Sequence, residues 1–194
     1  MKTVLASKSP RRRELLMRLV DDFEIKTAET DETLPEGMHP SEGVEVLAVR
    51  KGAAVARLCD KSDMVISSDT LVELNGEALG KPRDKDDAHR ILRLLSGKPH
   101  NVHTGVAVHY RGWVFSGVHT SRVTFRDMTD EEIDGYIETG EPMDKAGAYG
   151  IQGLGGRFVQ CFDGEFESIM GLSLTLTERL ITQAKEKEKH EEFN

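Results

Sequence analysis

Two tight turns constrain the fold of this chain more than any other feature of its sequence. Asn75-Gly76 and Arg111-Gly112 each separate two β-type runs, and strands joined by so short a turn are antiparallel neighbours. Elsewhere, β-type runs such as residues 2–6 (KTVLA) alternate with segments of helical periodicity, a pattern typical of α/β proteins. The sequence therefore predicts an α/β fold with a mixed sheet.

Capping residues mark where several helices begin. Ser9 followed by Pro10 predicts the start of a helix over residues 10–20, and Thr129 with Glu132 has the spacing of a capping box. The other expected elements are a strand within residues 23–29, helices over residues 41–59 and from Asp84 to Gly97, a hairpin at Asp163-Gly164 and a last helix from about Ser173.

The overall charge limits where an anion could bind. The chain has 26 Lys and Arg residues against 34 Asp and Glu residues, a formal net charge of −8 at pH 7, so its overall field repels nucleic acids and anionic membranes. A site for an anion must therefore be local. No stretch approaches the ~20 apolar residues of a membrane helix, and the apolar run before Arg11 is too short for a signal peptide. We expect a cytoplasmic protein without nucleic-acid or membrane partners.

Length and composition favour one domain. A chain of 194 residues, 38% of them hydrophobic, can bury a sizeable core. We expect a single domain over residues 1–194, in one lobe or in two lobes around a cleft, with a frayed, charged tail over residues 186–194. Cys59 and Cys161 are too far apart in sequence for a disulfide scaffold or a zinc site and are interpreted as buried small apolar residues.

The first candidate site is the turn before the first helix, with Ser7, Ser9, Arg11 and Arg12. Cations are unfavourable at a helix N-terminus, whose dipole is already positive. Free backbone amides together with arginines suit phosphate oxygens, which indicates an anion site. The alternative, which is the more frequent case for such a pattern alone, is a solvated surface.

The second candidate site lies around Asp69, which is expected at the end of an apolar strand. A carboxylate in that position can hold Mg²⁺ or orient a water molecule, and Lys81 beside Pro82 can contact a phosphate. Glu32, in an acidic loop, is a candidate second metal ligand. The alternative interpretation is a capping aspartate, a surface lysine and an ordinary loop glutamate.

The third candidate site is the glycine-rich segment of residues 144–153, DKAGAYGIQG. Its glycines allow sharp turns or close approach to a ligand, while Tyr149 could stack and Gln152 offers an amide that both donates and accepts. The spacing is that of neither a Walker loop nor a dinucleotide fingerprint. A tight connection without a ligand is the alternative.

Taken together, these segments resemble the Maf family of nucleoside triphosphate pyrophosphatases, which cleave a nucleoside triphosphate to the monophosphate and pyrophosphate. The matching stretches span nearly the whole chain in the same order. They are LASKSPRRRELL, LAVRKGAAVA, SSDTLVELNGEALGKPRD, LSGKPHNVHTGVAV, EEIDGYIETGEPMDKAGAYGIQGLGGRFV and IMGLSL. The resemblance implies an elongated, twisted, mixed sheet flanked by helices with a central cleft, as in inosine triphosphatases, and it implies a homodimer.

The resemblance also implies a role for each candidate residue. Arg11, Thr70 and Gln152 are similar to the residues of the branch that hydrolyses dTTP and UTP, rather than the branch acting on N7-methyl-GTP, and would govern base choice. Asp69 would be the catalytic base and would bind a divalent cation (Mg²⁺, Mn²⁺ or Co²⁺) together with Glu32. The expected triphosphate contacts are Ser7, Arg12, Lys51 and Lys81.

One departure from the family pattern and one functional alternative remain open. Ser173 stands where the family usually has proline, which affects how the last helix begins. Maf proteins are also linked to arrest of septum formation, so the alternative function is a regulatory nucleotide-binding protein that inhibits septum formation without catalysis. In that case the arginines would grip an anion, but neither a base nor a metal ion would be needed.

Overall fold

The structure, a computed structural model, describes residues 1–192. It contains a seven-stranded sheet and six α-helices within that part of the chain. The strands are β1 (Thr3–Leu5), β2 (Glu24–Ile25), β3 (Met64–Leu74), β4 (Glu77–Leu79), β5 (Pro99–Tyr110), β6 (Trp113–Phe125) and β7 (Val159–Asp163). The helices are α1 (Pro10–Leu16), α2 (Pro40–Ala56), α3 (Lys85–Leu95), α4 (Asp130–Ile137), α5 (Phe166–Met170) and α6 (Leu174–Glu192).

The sheet is mixed, which confirms the predicted fold class. Its strand order is β2-β1-β3-β5-β6-β7, with β4 paired to β3. β1 runs parallel to β2 and β3, and the other pairs are antiparallel. The 13 residues of β6 give the sheet a length of about 40 Å, so it is elongated. The hairpins predicted at Asn75-Gly76 and Arg111-Gly112 are present, and all four turn residues have the positive φ that such two-residue turns require.

A gap in strand pairing creates the cleft. β1 pairs with residues 64–66 of β3, and β4 pairs with residues 72–74 of the same strand. Within the described residues, no strand covers residues 67–71 on that side. Asp69 and Thr70 therefore lie at an open edge in the middle of a long strand. The expectation that the strand ends at Asp69 is wrong, since pairing with β5 continues on the other edge to Glu73.

Two glycines allow α2 to pack closely on the sheet. A Cβ atom at Gly52 would lie 2.4 Å from the His109 ring and 2.6 Å from Ser67 Oγ, and a Cβ at Gly105 would lie 2.5 Å from the backbone oxygen of Val44. Any larger residue would push the helix away from β3 and β5. Lys51, the neighbour of Gly52, is thereby brought over the open edge of β3.

Buried apolar residues form two main clusters. One joins α3 and α4 to the sheet around Leu92, Ile133 and Phe158, and the other joins α1 and α6 to it around Leu16, Leu176 and their neighbours. Each cluster contributes residues to the lining of the cleft. The division into two lobes stays a prediction.

The segment after β7 differs from the prediction. Asp163-Gly164 does not join two strands, because the chain turns there into the short helix α5, with Gly164 at φ 110° against Ser121. A Cβ at Gly164 would lie 2.6 Å from Ser121 Oγ. Cys161 lies on β7 and is exposed, and Cys59 is half-buried, so the interpretation of both cysteines as buried is wrong. β7 is an edge strand of the sheet on which residues 160–163 are all exposed.

Two predicted helices are shorter than expected. α1 ends at Leu16 instead of residue 20, and α2 ends at Ala56 instead of residue 59. In both cases the following backbone amides bond to carbonyls three residues back, as Leu19 does to Leu16 and Cys59 to Ala56. Such bonds tighten the last turn, so the helical spacing of apolar residues extends beyond the α-helix itself.

A frayed, charged tail over residues 186–194 stays a prediction. α6 continues to Glu192, and residues 193–194 lie outside the described residues. Lys187 pairs with Glu191 and lies over the Trp113 ring, while Glu188 pairs with Arg111. The contacts of Lys187 with Trp113 and of Glu188 with Arg111 fasten the helix to the β5–β6 turn. None of the helices in residues 1–192 is both long and apolar enough to cross a membrane.

Candidate active site

A cleft of about 1370 Å³ opens at the uncovered edge of β3. It exceeds the ~300–1,000 Å³ that is usual for a small-molecule pocket. All of the site residues predicted from the sequence line it, although they come from distant parts of the chain. They are Ser7, Arg11, Arg12, Glu32, Lys51, Asp69, Thr70, Lys81 and Gln152. The structure therefore brings the three candidate sites together in one cavity.

The arginines of the first helical turn meet carbonyl groups. Arg12 Nε donates to the backbone oxygen of Gly171 at 2.9 Å, and Arg11 Nε donates to that of Met170 at 3.4 Å. These carbonyls end α5, so the unfavourable position of the arginines on α1 is offset by the negative end of a second helix. Arg12 is half-buried, and desolvation lowers the pKa of its guanidinium.

Hydroxyl groups complete this wall of the cleft. Ser9 caps α1 by accepting from the amide of Arg12, and Ser7 Oγ accepts from the amide of Ser9 at 3.2 Å. The other guanidinium nitrogens of Arg12 lie 3.5 Å from Ser7 Oγ and 3.4 Å from Thr70 Oγ1. These contacts are long for hydrogen bonds. Arg12 thus keeps donors directed at the cleft while Nε holds it in place.

Lys51 bridges the two predicted carboxylates. Its Nζ lies 2.5 Å from Asp69 Oδ1 and 2.8 Å from Glu32 Oε1. The hydrogen bond from Lys51 is the main reason that the pKa of Glu32 lies below its usual value. Asp69 is buried, whereas the Glu32 side chain is 62% exposed. The bridge shows that both carboxylates reach one cationic position.

Lys81 and Gln152 face the cleft without partners of their own. Both are exposed, and neither has a hydrogen bond or an ion pair with any of residues 1–192. Thr70 Oγ1 shares a hydrogen bond of 3.1 Å with Thr104 Oγ1. The Lys81 ammonium and the Gln152 amide are therefore available to a ligand.

The donor set is compatible with a divalent cation. Mg²⁺ is often held by one or two carboxylates, with water and substrate phosphates completing its coordination. Glu32 and Asp69 provide two carboxylates within reach of the Lys51 ammonium. The described residues contain no group of three or more His, Cys, Asp or Glu side chains that could hold a metal by themselves. A cation here would thus depend on ligand oxygens.

Several further polar residues of the lining were not predicted as site residues. The short 3₁₀ segment Glu141–Asp144 contributes its first and last residues. Lys145 lies between this segment and a second one, Ala146–Ala148. Glu29 lies in the loop after β2. The sequence signal for three of them is their place in the chain, since Asp144 and Lys145 lie within the glycine-rich segment and Glu141 lies three residues before it.

Tyr149 has a different role from the predicted stacking. Its ring packs edge-to-face on Phe125, with a centroid distance of 4.7 Å, and its hydroxyl hydrogen-bonds to His100 Nε2 at 2.9 Å. The side chain is only 6% exposed. Tyr149 therefore belongs to the wall of the cleft and holds the middle of the glycine-rich segment.

The protein thus has a mixed α/β fold with a cleft at the open edge of β3, where basic side chains and two carboxylates lie together. A family model described as Maf-like protein matches residues 2–184. The chain belongs to this family of Maf-like proteins.

Two relatives and one solved structure illustrate the similarity. A dTTP/UTP pyrophosphatase of Bacillus pumilus is 45% identical over 178 residues, 92% of this chain and 94% of the relative. A dTTP/UTP pyrophosphatase of Vibrio cholerae is 46% identical over 180 residues, 93% and 96% of the two chains. The structure of the Staphylococcus aureus Ham1 protein has a TM-score of 0.51 at 15% identity and covers 98% of this chain and 100% of that one. This last similarity concerns the fold alone.

Proposed function

We propose that this chain is a nucleoside triphosphate pyrophosphatase that hydrolyses dTTP and UTP to the monophosphate and pyrophosphate. The observation that carries the proposal is the lining of a single cleft by all nine predicted residues. The relatives named dTTP/UTP pyrophosphatase, similar over more than nine-tenths of the chain, support the same reaction.

The basic residues would bind the triphosphate. A nucleoside triphosphate carries ~4 negative charges, which repel an incoming nucleophile unless cations surround them. Lys51, Lys81 and Arg12 supply positive charge to the cleft, and Ser7 supplies a hydroxyl. Of these groups, Lys81 has no hydrogen bond or ion pair with residues 1–192 that binding of the triphosphate would have to break.

Asp69 would act as the general base. Its carboxylate is buried at the open strand edge beside Lys51, where it can accept a proton from a water molecule directed at the α-phosphorus. A divalent cation (Mg²⁺, Mn²⁺ or Co²⁺) held by Glu32 and Asp69 would neutralise phosphate charge. Pyrophosphate leaves readily because it distributes its charge over many oxygens.

Arg11, Thr70 and Gln152 would select the base. The Gln152 amide can donate to O4 and accept from N3–H of uracil or thymine. Cytosine presents the reverse pattern and would leave buried polar groups unpaired, an error that costs about 1–3 kcal/mol for each group.

Product identity tests the reaction. Wild-type protein incubated with UTP or dTTP and Mg²⁺ should release UMP or dTMP and pyrophosphate in equal amounts. Mn²⁺ and Co²⁺ are run in parallel, with CTP and GTP as poor substrates. Release of orthophosphate would instead identify a phosphatase and refute the proposal. The alternative of a regulatory protein without catalysis is not favoured by the pyrophosphatase relatives.

We also propose a cytoplasmic homodimer without nucleic-acid or membrane partners, on the strength of the family resemblance and the net charge of −8. Sedimentation of the purified protein measures the oligomeric state, and a monomer over the micromolar range would refute the dimer.

A further inference from the structure

One carboxylate holds the loop of residues 150–155, here called the base-facing loop because it carries Gln152. Glu141 Oε1 accepts hydrogen bonds from the Tyr136 hydroxyl at 2.8 Å and from the Gly155 amide at 3.1 Å. Its other oxygen, Oε2, accepts from the Leu154 amide at 3.0 Å. The same carboxylate therefore fixes both the backbone of the loop and the phenol beneath it.

The glycines of this loop are needed by that anchor. A Cβ at Gly153 would lie 2.5 Å from Glu141 Oε2, and a Cβ at Gly155 would lie 2.6 Å from the Tyr136 hydroxyl. Gly150 donates its amide to the same hydroxyl at 3.2 Å. Side chains at these positions would separate the loop from the carboxylate and the phenol. The glycine content thus reflects packing within the protein, without any need for a ligand.

Charge strengthens the anchor. Burial raises the pKa of Glu141, but hydrogen bonds from the Leu154 amide, the Tyr136 hydroxyl and the Gly155 amide outweigh it and keep the pKa below its usual value. Hydrogen bonds to an ionised acceptor are stronger than neutral ones. Lys145 Nζ also donates to the backbone oxygen of Glu141 at 2.8 Å. The anchoring residue is therefore itself held at its backbone and at its side chain.

We propose that Glu141 is a positioning residue that fixes the base-facing loop and thereby determines how strictly Gln152 distinguishes uracil from cytosine. The part of this inference that concerns base discrimination rests on the proposed function. Gln152 has no hydrogen-bond or ion-pair partner within residues 1–192, so the loop backbone determines the position from which its side chain reaches the cleft. A loop freed from its anchor could present the amide to either base.

The test replaces one oxygen of the anchor. Glu141→Gln keeps the shape of the side chain but places an NH₂ group against at least one of its three donors. The control is Glu138→Gln, a nearby carboxylate that is 69% exposed and, within residues 1–192, pairs only with Lys85. Hydrogen–deuterium exchange of the Leu154 and Gly155 amides is measured first, because it requires no activity. The ratio of kcat/KM for UTP to that for CTP is measured second.

In Glu141→Gln we expect exchange of both amides to accelerate and the UTP-to-CTP ratio to fall, each about tenfold, with the control unchanged. If this variant does not fold, Tyr136→Phe removes a single donor to the same carboxylate and should shift both readouts in the same direction. Unchanged exchange, or faster exchange with an unchanged ratio in an active enzyme, would overturn this proposal alone. A wild-type chain that hydrolyses neither UTP nor dTTP would refute the proposed function, and the exchange measurement would still decide whether Glu141 holds the loop.

Discussion

Nζ of Lys51 lies 2.5 Å from Oδ1 of Asp69, and this contact joins α2 to the open edge of β3. The Lys51 ammonium therefore occupies a hydrogen-bonding position of the Asp69 carboxylate. In the proposed reaction a phosphate group attracts Lys51, which leaves the Asp69 oxygen able to accept a proton from water. In this proposed reaction, the Lys51–Asp69 pair would link substrate binding to preparation of the base.

Replacing Asp69 by Asn should abolish turnover while preserving nucleotide binding. The amide cannot take a proton from water, and general-base catalysis typically contributes about 10²–10⁴-fold to the rate. Calorimetric titration with UTP measures binding, and pyrophosphate release measures turnover. Asp86→Asn, at an exposed position of α3, is the control. Equal activity in the Asp69 variant and wild type would remove Asp69 from the mechanism.

Replacing Gln152 by Ala should weaken discrimination between bases. Without the amide, uracil loses its two hydrogen bonds and cytosine loses its mismatched ones, so the ratio of kcat/KM for UTP to that for CTP should decrease by about 10–100-fold. Because Gln152 is exposed and makes no hydrogen bond within residues 1–192, the free energy of unfolding should not change. Steady-state kinetics with both nucleotides measures the ratio, and an unaltered ratio would assign base choice elsewhere.

Local signals predicted local structure well in this chain. Asn75-Gly76 has the backbone angles of the predicted turn, and Thr129 forms the predicted capping box with Glu132. Both depend only on neighbouring residues. Asp163-Gly164 carries a similar turn signal, but whether a strand follows depends on what the next segment packs against, and there the chain forms α5.

The site required information that periodicity does not contain. The gap on β3 that places Asp69 at the cleft arises because β1 and β4 are short and pair with different parts of the strand. Local patterns singled out most of the predicted lining residues and family resemblance added Lys51 and Thr70, but Glu141 acts through amides that become its neighbours only after folding. The sequence predicts an anion as the partner of the α1 arginines. In the structure they also donate hydrogen bonds to backbone carbonyls, which the sequence did not indicate.

Replacing Ser173 by Ala should destabilise the protein without affecting activity. Ser173 stands where the family usually has proline, and here its hydroxyl accepts from the Leu176 amide at 3.2 Å and donates to Glu165 Oε2 at 2.5 Å. It therefore caps α6, and loss of such a cap costs about 1–2 kcal/mol. Urea unfolding measures the change, with Thr182→Ala, whose exposed hydroxyl bonds within the helix, as the comparison. Equal stability of wild type and the Ser173 variant would mean that the cap contributes nothing.

Acid should destabilise the protein partly through His100. This residue is 3% exposed, and burial lowers its pKa from 6.5 to about 4. The pKa of His100 is lower in the folded chain than in the unfolded chain. Above pH 6.5 the ring is neutral in both states, and the free energy of unfolding is not reduced. As the pH falls from 6.5 towards 4, the unfolded chain binds a proton that the folded chain does not, and the free energy of unfolding decreases. The shift corresponds to about 3 kcal/mol.

A His100→Phe variant isolates this effect, since all other titrating groups are shared with wild type. The variant loses the hydrogen bond to Tyr149 and should be less stable than wild type at pH 7.5. The difference in free energy of unfolding between the two proteins should then shift by about 3 kcal/mol in favour of the variant between pH 7 and pH 4. Urea unfolding at intervals of half a pH unit measures this. Parallel pH profiles for the two proteins would show that His100 is protonated equally in the folded and unfolded chains.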